Sequence, residues 1–493
     1  MISAHFPALQ VVLPLIAAPL CALLRRDILA WTLTTAVSWS TFFIAAVLLH
    51  QVLTSGPISY AMGGWVAPWG IEYRVDVVNA FMLLIVGFIG AMVITFARLS
   101  VSHRIPQGKR AWFYTAYLLC FTGLLGMTIT GDAFNVFVFL EISSLSSYAL
   151  IALGRDRRAL TAAYQYLIMG TIGATFILIG IGFMYMMTGT LNMVDLAQRL
   201  PEVSHTRTIR VAFAFLTIGL GLKLALFPLH LWLPNAYTYA PSVVTAFLAA
   251  TATKVAIYVL LRVFFTIFGA GFSFETMQLD YILMPLALIG IFSASVVAIF
   301  QSNAKRMLAY SSVAQIGYMI LGISLVSVTG LTAGIVHLFN HALIKSTLFL
   351  ALGCIMYRLG SVEIQRMAGL GWTMPWTMGA FLVAGLSLVG VPLTAGFISK
   401  WYLILGALER GWWPVALLVL ITSILALVYI WRIVEVAYFR PTPDGQAPVR
   451  EAPLPLLLPV WGLALANLYF GIDASLSAGV AQRAAESLLG VAP

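Results

Sequence analysis

Long apolar stretches separated by short polar connections are the feature that most restricts what this sequence can fold into. A bilayer core about 30 Å thick requires about 20 apolar residues per helix, and about fourteen stretches approach or exceed that length. They lie at residues 8–24, 28–50, 76–99, 111–130, 132–153, 159–188, 207–231, 240–268, 279–301, 305–328, 330–358, 373–409, 411–438 and 452–472. The sequence therefore predicts an all-α membrane protein, with residues 1–493 forming a single transmembrane domain.

The composition argues against a soluble fold. Hydrophobic residues make up 61% of the chain and charged residues 9%, whereas a soluble domain has roughly 25% charged residues. A fold with so few polar side chains cannot coat itself for water, so the expected surroundings are lipid. The net charge of +10 is spread over short connections, not gathered in a basic patch, so nucleic acid is not predicted as a partner.

Three cysteines, Cys21, Cys120 and Cys354, all lie inside apolar stretches. Neither a disulfide framework nor a metal-ligand spacing is visible, and no cofactor motif is found. The sequence predicts neither a cofactor nor a bound metal.

The positive charges on the connections predict an orientation. Lys and Arg on alternate connections divide about fifteen to six between the two sides, and Lys305 and Arg306 count toward the richer side. The richer side is expected to face the cytoplasm. Both termini are then expected on the outer, or periplasmic, side.

Several charged residues fall within the predicted spans. Each charge at a helix centre costs on the order of 3 kcal/mol, and five would cost about 15 kcal/mol together. Burial disfavours the charged form of a lysine or a carboxylate, so such groups can exchange protons near neutral pH. The five that lie deepest are Glu141, Lys223, Lys254, Lys345 and Lys400.

Two interpretations of these charges remain open. A lysine inside a membrane can be structural if it pairs with a carboxylate, but Glu141 is one acid against four lysines. A proton relay accounts for all of them. Arg262 and Arg432 lie nearer to helix ends, where their long side chains are expected to reach the membrane surface.

Two of the lysines lie close to a predicted helix break. Lys223 precedes Pro228, and Lys400 follows Pro392. Proline removes a backbone donor and clashes with the preceding turn. Broken helices at membrane depth are tolerated inside protein or beside water, and paired breaks in two halves are typical of transport sites. Proline kinks alone are common in membrane helices, but here each has a lysine beside it.

His337, His341 and Lys345 are spaced four residues apart, which places them on one face of a helix. Such a row can pass a proton or organise water. Two histidines at this spacing can also bind a metal, but no third ligand is evident. Each histidine can equally be a packing residue. The four serines at 143, 144, 146 and 147 are best explained as packing residues between helices.

Four motifs together resemble a known family. They are Asp132–Ile142, Lys223–Pro234, His337–Lys345 and Gly390–Lys400. With them the chain resembles, over nearly its whole length, the antiporter-like proton-conducting subunits shared by Mrp cation/proton antiporters, respiratory complex I and membrane-bound hydrogenases.

The resemblance implies fourteen transmembrane helices. Helices 4–8 and 9–13 would form two inverted repeats, at residues 111–268 and 279–438, with helices 7 and 12 broken. It also implies roles for the buried groups. Glu141 would pair with Lys223, Lys254 would connect toward the middle of the membrane, His337 and His341 would be polar positions of helix 11, and Lys400 would be the site on helix 12.

Among these relatives, the segment around Glu141 is most similar to the D subunit of Mrp antiporters. The lysine at position 400 differs from the glutamate of one complex I subunit. The resemblance implies a proton-translocating subunit of a monovalent cation (Na⁺)/proton antiporter in a bacterial inner membrane, working with other membrane subunits and not as an enzyme. A subunit of a redox-driven pump, a stand-alone solute carrier and a scaffold without transport are the alternatives.

Overall fold

The structure is a computed structural model that describes residues 2–24, 26–442 and 449–491. Over these residues the chain is nearly all helical, with one small β-hairpin. The helices are α1 (Phe6–Leu23), α2 (Asp27–Ser55), α3 (Val77–Arg104), α4 (Gln107–Ile129), α5 (Ala133–Ala152), α6 (Arg158–Thr188), α7 (Met193–Val203), α8 (Arg207–Leu224), α9 (Trp232–Tyr239), α10 (Ser242–Ala250), α11 (Ala252–Leu261), α12 (Asp280–Ile299), α13 (Ala304–Ser324), α14 (Val328–Leu359), α15 (Leu370–Thr373), α16 (Pro375–Val389), α17 (Ala395–Glu409), α18 (Trp413–Phe439), α19 (Leu454–Ile472) and α20 (Ser475–Leu489).

Shorter elements join these helices. Strands β1 (Ile58–Ala61) and β2 (Glu72–Val75) pair antiparallel between α2 and α3. Two π-helical turns, Arg262–Ile267 and Gly271–Thr276, follow α11.

The fourteen predicted crossings are confirmed. Within the described residues, twelve helical stretches are long and apolar enough to cross a membrane. The other two crossings are each made of two shorter helices: α8 with α9, and α16 with α17. The crossing predicted at 240–268 consists of α10, α11 and the π-helical turn at Arg262–Ile267. The chain is therefore a multi-pass membrane protein.

Three of the predicted stretches, at 159–188, 330–358 and 373–409, are longer than one crossing needs, which predicts a tilt or a break in each. Helices α6 and α14 run through the first two without interruption, and a break is found in the third.

Corresponding connections in the two halves share one hydrogen-bond pattern. In each half, two connections are joined by a reciprocal pair of backbone hydrogen bonds. The amide of the residue that begins the helix after one connection donates to the carbonyl two residues before the helix that follows the other connection. The bonds run from the Ala133 amide to the Leu191 carbonyl, from Met193 to Gly131, from Ala304 to Val362 and from Ile364 to Ser302, at 2.8–2.9 Å. Asp132 and Asn303 cap the following helices through their side chains. Five crossings separate the two connections, so they lie at opposite ends of the molecule.

Helix α14 forms the centre of the fold. It packs against α3, α10, α13, α16, α17, α19 and α20, and its membrane stretch is wholly buried. Helices α6 and α18 lie at the periphery and leave apolar side chains exposed, as lipid contact requires. The polar row described below runs through this buried centre.

Candidate functional site

The first part of the site joins α5 to the last turn of α8. Lys223 Nζ donates a hydrogen bond to Ser144 Oγ at 2.8 Å and lies 4.0 Å from Glu141 Oε1. The Lys223 side chain is 5% exposed and the Glu141 side chain 30%. The pair is close enough for strong attraction but is not locked by a direct short hydrogen bond. Ser144 was predicted to serve packing, and the structure instead makes it the lysine's hydrogen-bond partner.

The helix break beside Lys223 is held by aromatic contacts. The helix ends as Ala225 adopts a left-handed conformation with φ of 61°, and Pro228 lies in the connection, as predicted. Trp232 Nε1 donates to the Leu222 carbonyl at 2.9 Å, and its ring stacks on Tyr166 at 3.9 Å. Lys223 therefore lies at the carbonyl end of a supported helix, where a positive charge is favoured.

A small cavity of about 30 Å³ adjoins Lys223. Ser143, Ser144 and Ser147 form one wall, and Ala252 and Ala256 of α11 form another. Its size, and the serine hydroxyls and lysine ammonium group in its lining, suit at least one water molecule. The cavity therefore occupies the space between the Glu141–Lys223 pair and the helix that carries Lys254.

Lys254 lies at a third helix interruption, which the sequence did not predict. The helix is interrupted at Thr251, where φ is −124° and ψ is −56°. The fully buried Lys254 Nζ donates to the freed Ala249 carbonyl and lies 3.4 Å from Thr253 Oγ1. Residues 246–252 contain neither proline nor glycine, so no local signal marks this break.

The predicted histidine row lies on one buried face of α14. His337 forms hydrogen bonds with Ser399 at 2.8 Å and with Gln315 Oε1 at 2.9 Å. The ring centroids of His337 and His341 lie 6.0 Å apart, and the angle between the two ring planes is 7°. Both ring nitrogens of His341 are buried and have no partner among the described residues. A buried imidazole without a partner suggests a place for water.

Lys345 continues the row toward α13. Its Nζ donates to the Leu308 carbonyl at 2.8 Å and to Ser311 Oγ. Lys254 lies within range of electrostatic repulsion from both His341 and Lys345. The structure thus packs α10 of the first half, which ends just before Lys254, against α14 of the second half.

Lys400 lies at the break between α16 and α17. Its Nζ donates to the Val389 and Leu388 carbonyls at 2.8 and 3.2 Å and to Ser423 Oγ at 3.0 Å. Gly390 and Leu393 have positive φ in the connection that contains Pro392, as expected for a broken helix. Lys400 therefore caps the carbonyl end of α16, where the helix dipole is negative.

Lys305 is a buried cation that the sequence does not reveal, because the residue falls on a connection of the side richer in Lys and Arg. The structure buries its side chain to 2% exposure, in the first turn of α13. Its Nζ donates to the Ala240 carbonyl at 2.9 Å, just past the end of α9. A lysine at a helix start can reach inward when a neighbouring helix ends beside it.

Arg262 also differs from its prediction. It was expected to extend to the membrane surface, but its guanidinium is buried and pairs with Asp76 at 2.5 Å. Its Nε donates to Tyr258 Oη at 2.9 Å. The carboxylate of Asp76, which caps α3, accounts for this burial because it neutralises the arginine. Arg432, by contrast, remains partly exposed and donates to the Gln301 carbonyl at 3.1 Å.

These features define a class of protein: a multi-pass membrane protein with two broken helices and a buried row of lysines and histidines that crosses both halves. The chain belongs to the family described as NADH:quinone oxidoreductase/Mrp antiporter, transmembrane, whose model matches residues 130–426. The matched range contains all seven predicted relay residues.

Individual relatives come from both branches of that family. The N subunit of NADH-quinone oxidoreductase from Desulforudis audaxviator is 42% identical, covering 95% of this chain and 96% of its own length. The D subunit of the Na(+)/H(+) antiporter from Bacillus subtilis is 29% identical, covering 98% and 97%. A chain in the solved Mrp complex from Dietzia sp. superposes with a TM-score of 0.90 at 28% identity, covering 99% and 98%.

Proposed function

We propose that this chain is the proton-translocating subunit of a multi-subunit Na⁺/H⁺ antiporter of the Mrp type. The observation that carries the proposal is the row of buried ionisable side chains. It runs through both halves of a fold that superposes on a chain of an Mrp complex. The row consists of Glu141, Lys223, Lys254, Lys345, His341, His337 and Lys400.

Proton movement along this row rests on repulsion between neighbouring ammonium groups. Like charges repel strongly where the dielectric constant is low. When Lys223 gains a proton, Glu141 stabilises its charge. When that stabilisation is withdrawn, Lys223 releases its proton through the water-sized cavity toward Lys254. A charge on Lys254 in turn disfavours a charge on Lys345 and on the histidines of α14. A proton held by these groups is therefore released toward Lys400.

The exposed side of Glu141 supports an assembly with other membrane subunits. Its carboxylate is 30% exposed within a membrane-spanning helix, on a face that also presents Phe134 and Leu145. A charge at this depth is costly against lipid. A neighbouring subunit that covers this face with polar or basic side chains removes the cost. The relatives are themselves named as subunits.

The matched connections of the two halves support the inverted repeats at residues 111–268 and 279–438. The excess of Lys and Arg on the connections of one side supports an orientation in which that side faces the cytoplasm of a bacterial inner membrane. Both termini would then lie on the outer side.

A second candidate is a proton-translocating subunit of a redox-driven complex. The relative named as an N subunit of NADH-quinone oxidoreductase, 42% identical over 486 residues, favours it. In that case the same buried row would carry protons, but electron transfer elsewhere in the complex would drive them.

The test uses everted membrane vesicles that contain the chain together with the subunits of its complex. After a pH gradient is formed, sodium or potassium is added and the gradient is followed by a fluorescent dye. Cation-dependent collapse of the gradient, lost in Lys223→Ala, is the expected result. If neither cation changes the pH gradient, and an electron donor generates a gradient instead, the chain belongs to the redox-driven branch.

A further inference from the structure

A second polar cavity lies at the end of the molecule that carries most of the arginines and lysines. It has a volume of about 160 Å³. Its walls come from the ends of α3, α9 and α14, the connection from α5 to α6, and the starts of α10 and α13. The charged residues in its lining are Arg104, Arg155, Arg158, Lys305 and Asp156.

Among the described residues, Asp156 is the one acid in this lining, and it is already paired with Arg158. Asp156 Oδ2 accepts from Arg158 Nη2 at 2.7 Å and from Arg158 Nε at 3.0 Å. The Arg158 guanidinium also lies over the Tyr239 ring at 4.8 Å. The remaining cations repel one another: Arg104 lies within electrostatic range of both Arg155 and Lys305. In the part of the chain that the structure describes, Arg104, Arg155 and Lys305 have no carboxylate of their own, which favours an anion from outside.

Unused donors also line this cavity. Lys305 gives one hydrogen to the Ala240 carbonyl at 2.9 Å, which leaves two of its three. Arg104 Nη2 donates to the Met356 carbonyl at 3.0 Å. Its Nε is buried and has no partner in the part of the chain that the structure describes. A bound oxyanion would satisfy these donors with charge-assisted hydrogen bonds.

The start of α10 adds a second attraction for negative charge. Pro241 and Ser242 line the cavity, and no side chain of the described residues caps this helix start. The first amides of a helix are free to bind an anion, and the helix dipole favours one there. The basic side chains and the uncapped helix start therefore favour the same kind of ligand.

We propose that this cavity binds a phosphate group, held by Arg104, Arg155, Lys305 and the amides that begin α10. The phosphate can come from a soluble anion or from the headgroup of an anionic lipid, since both present the same oxygens. The bound group would link the α9–α10 turn of the first half to α13 and α14 of the second. The proposal concerns binding and stands apart from the transport assignment.

The test measures phosphate binding to the purified full complex. Calorimetric titration with inorganic phosphate is one arm. Native mass spectrometry after reconstitution in nanodiscs with and without phosphatidylglycerol is the other. The variant is the double change Arg104→Gln with Arg155→Gln. Arg157→Gln is the matched control, because Arg157 is an exposed neighbour outside the cavity lining.

We expect wild-type protein and Arg157→Gln to bind alike, and the double variant to bind about tenfold more weakly or worse. Binding of inorganic phosphate indicates a soluble anion, and retention of phosphatidylglycerol alone indicates a lipid headgroup. If the double variant does not assemble, Arg155→Gln alone changes an exposed side chain and should weaken binding several-fold. No binding in either arm, or equal binding by wild type and the double variant, would overturn the proposal.

Discussion

The two broken helices place a lysine in the membrane in different ways. In the first half, Lys223 precedes the break and relies on side chains of another helix, Glu141 and Ser144. In the second half, Lys400 follows the break and reaches back to the terminal carbonyls of α16. Among the described residues, the first lysine has a carboxylate within 4.0 Å and the second does not.

This difference implies two kinds of control. A carboxylate can approach, retreat or take up a proton, so the charge on Lys223 responds to Glu141. Backbone carbonyls cannot titrate, so the charge on Lys400 responds to the geometry of the α16–α17 break. The first half is therefore suited to respond to a neighbouring subunit, and the second half to a movement of its own helices.

A large effect is expected from the loss of Lys400. In Lys400→Ala the carbonyls of Leu388 and Val389 lose their donor and the row loses its last ammonium. We expect cation-dependent collapse of the pH gradient to fall by at least about tenfold. The vesicle assay measures it, with Trp401→Phe as the control, since Trp401 is half exposed on the same helix. Near-normal transport in Lys400→Ala would remove this lysine from the path.

The second prediction disturbs the break itself. A methyl group on Gly396 would overlap the Ser387 carbonyl oxygen, so Gly396→Ala should force α16 and α17 apart. We expect a lower midpoint of thermal unfolding and several-fold slower transport, because Lys400 loses its fixed acceptors. Gly182→Ala is the matched control, since a methyl group there meets no atom within 4 Å. Equal unfolding midpoints for the two variants would contradict the tight approach described here.

A smaller effect is expected from the carboxylate of the first half. Glu141→Gln keeps the shape but removes the charge 4.0 Å from Lys223 Nζ. We expect transport to slow by about fivefold to tenfold, an effect on the order of 1 kcal/mol. Glu141→Asp keeps a charge and should retain more activity than Glu141→Gln. The reverse order would show that the charge of Glu141 does not matter.

The smallest effect is expected from Ser144→Ala. The change removes one hydrogen bond to Lys223, worth about 1 kcal/mol, and the adjoining cavity lets water replace the hydroxyl. Transport should fall by about twofold. Ser146→Ala is the control, because the Ser146 hydroxyl bonds to the Ile142 carbonyl of its own helix. A complete loss in Ser144→Ala would mean that the serine, and not Glu141, is the main partner of Lys223.

The sequence predicted the crossings and both proline-associated breaks because apolar length and proline geometry are local properties. It could not predict the interruption at Thr251, which lacks proline and glycine, nor the burial of Lys305. Both depend on contacts between residues distant in the chain. Arg262 shows the same limit, since its partner Asp76 is 186 residues away.

The sequence predicted which ionisable residues form the candidate site more completely than it predicted the contacts they make. The charges within the predicted spans and the histidine spacing pointed to the seven residues of the row. They did not point to Ser144, Gln315 or Ser399, which bond directly to Lys223 and His337. Serine and glutamine are common in membrane helices as packing residues. No local sequence feature distinguishes the serines and glutamines that contact a buried ionisable group.

The central claim is that the two halves form one proton path, joined at Lys254. The most direct measurement compares cation-dependent collapse of the pH gradient in Lys254→Ala and Lys109→Ala, with complex assembly checked by purification. Lys109 lies exposed in the first turn of α4. The account predicts that Lys254→Ala assembles but does not transport, while Lys109→Ala transports normally. Wild-type transport in Lys254→Ala would contradict a path that runs through both halves.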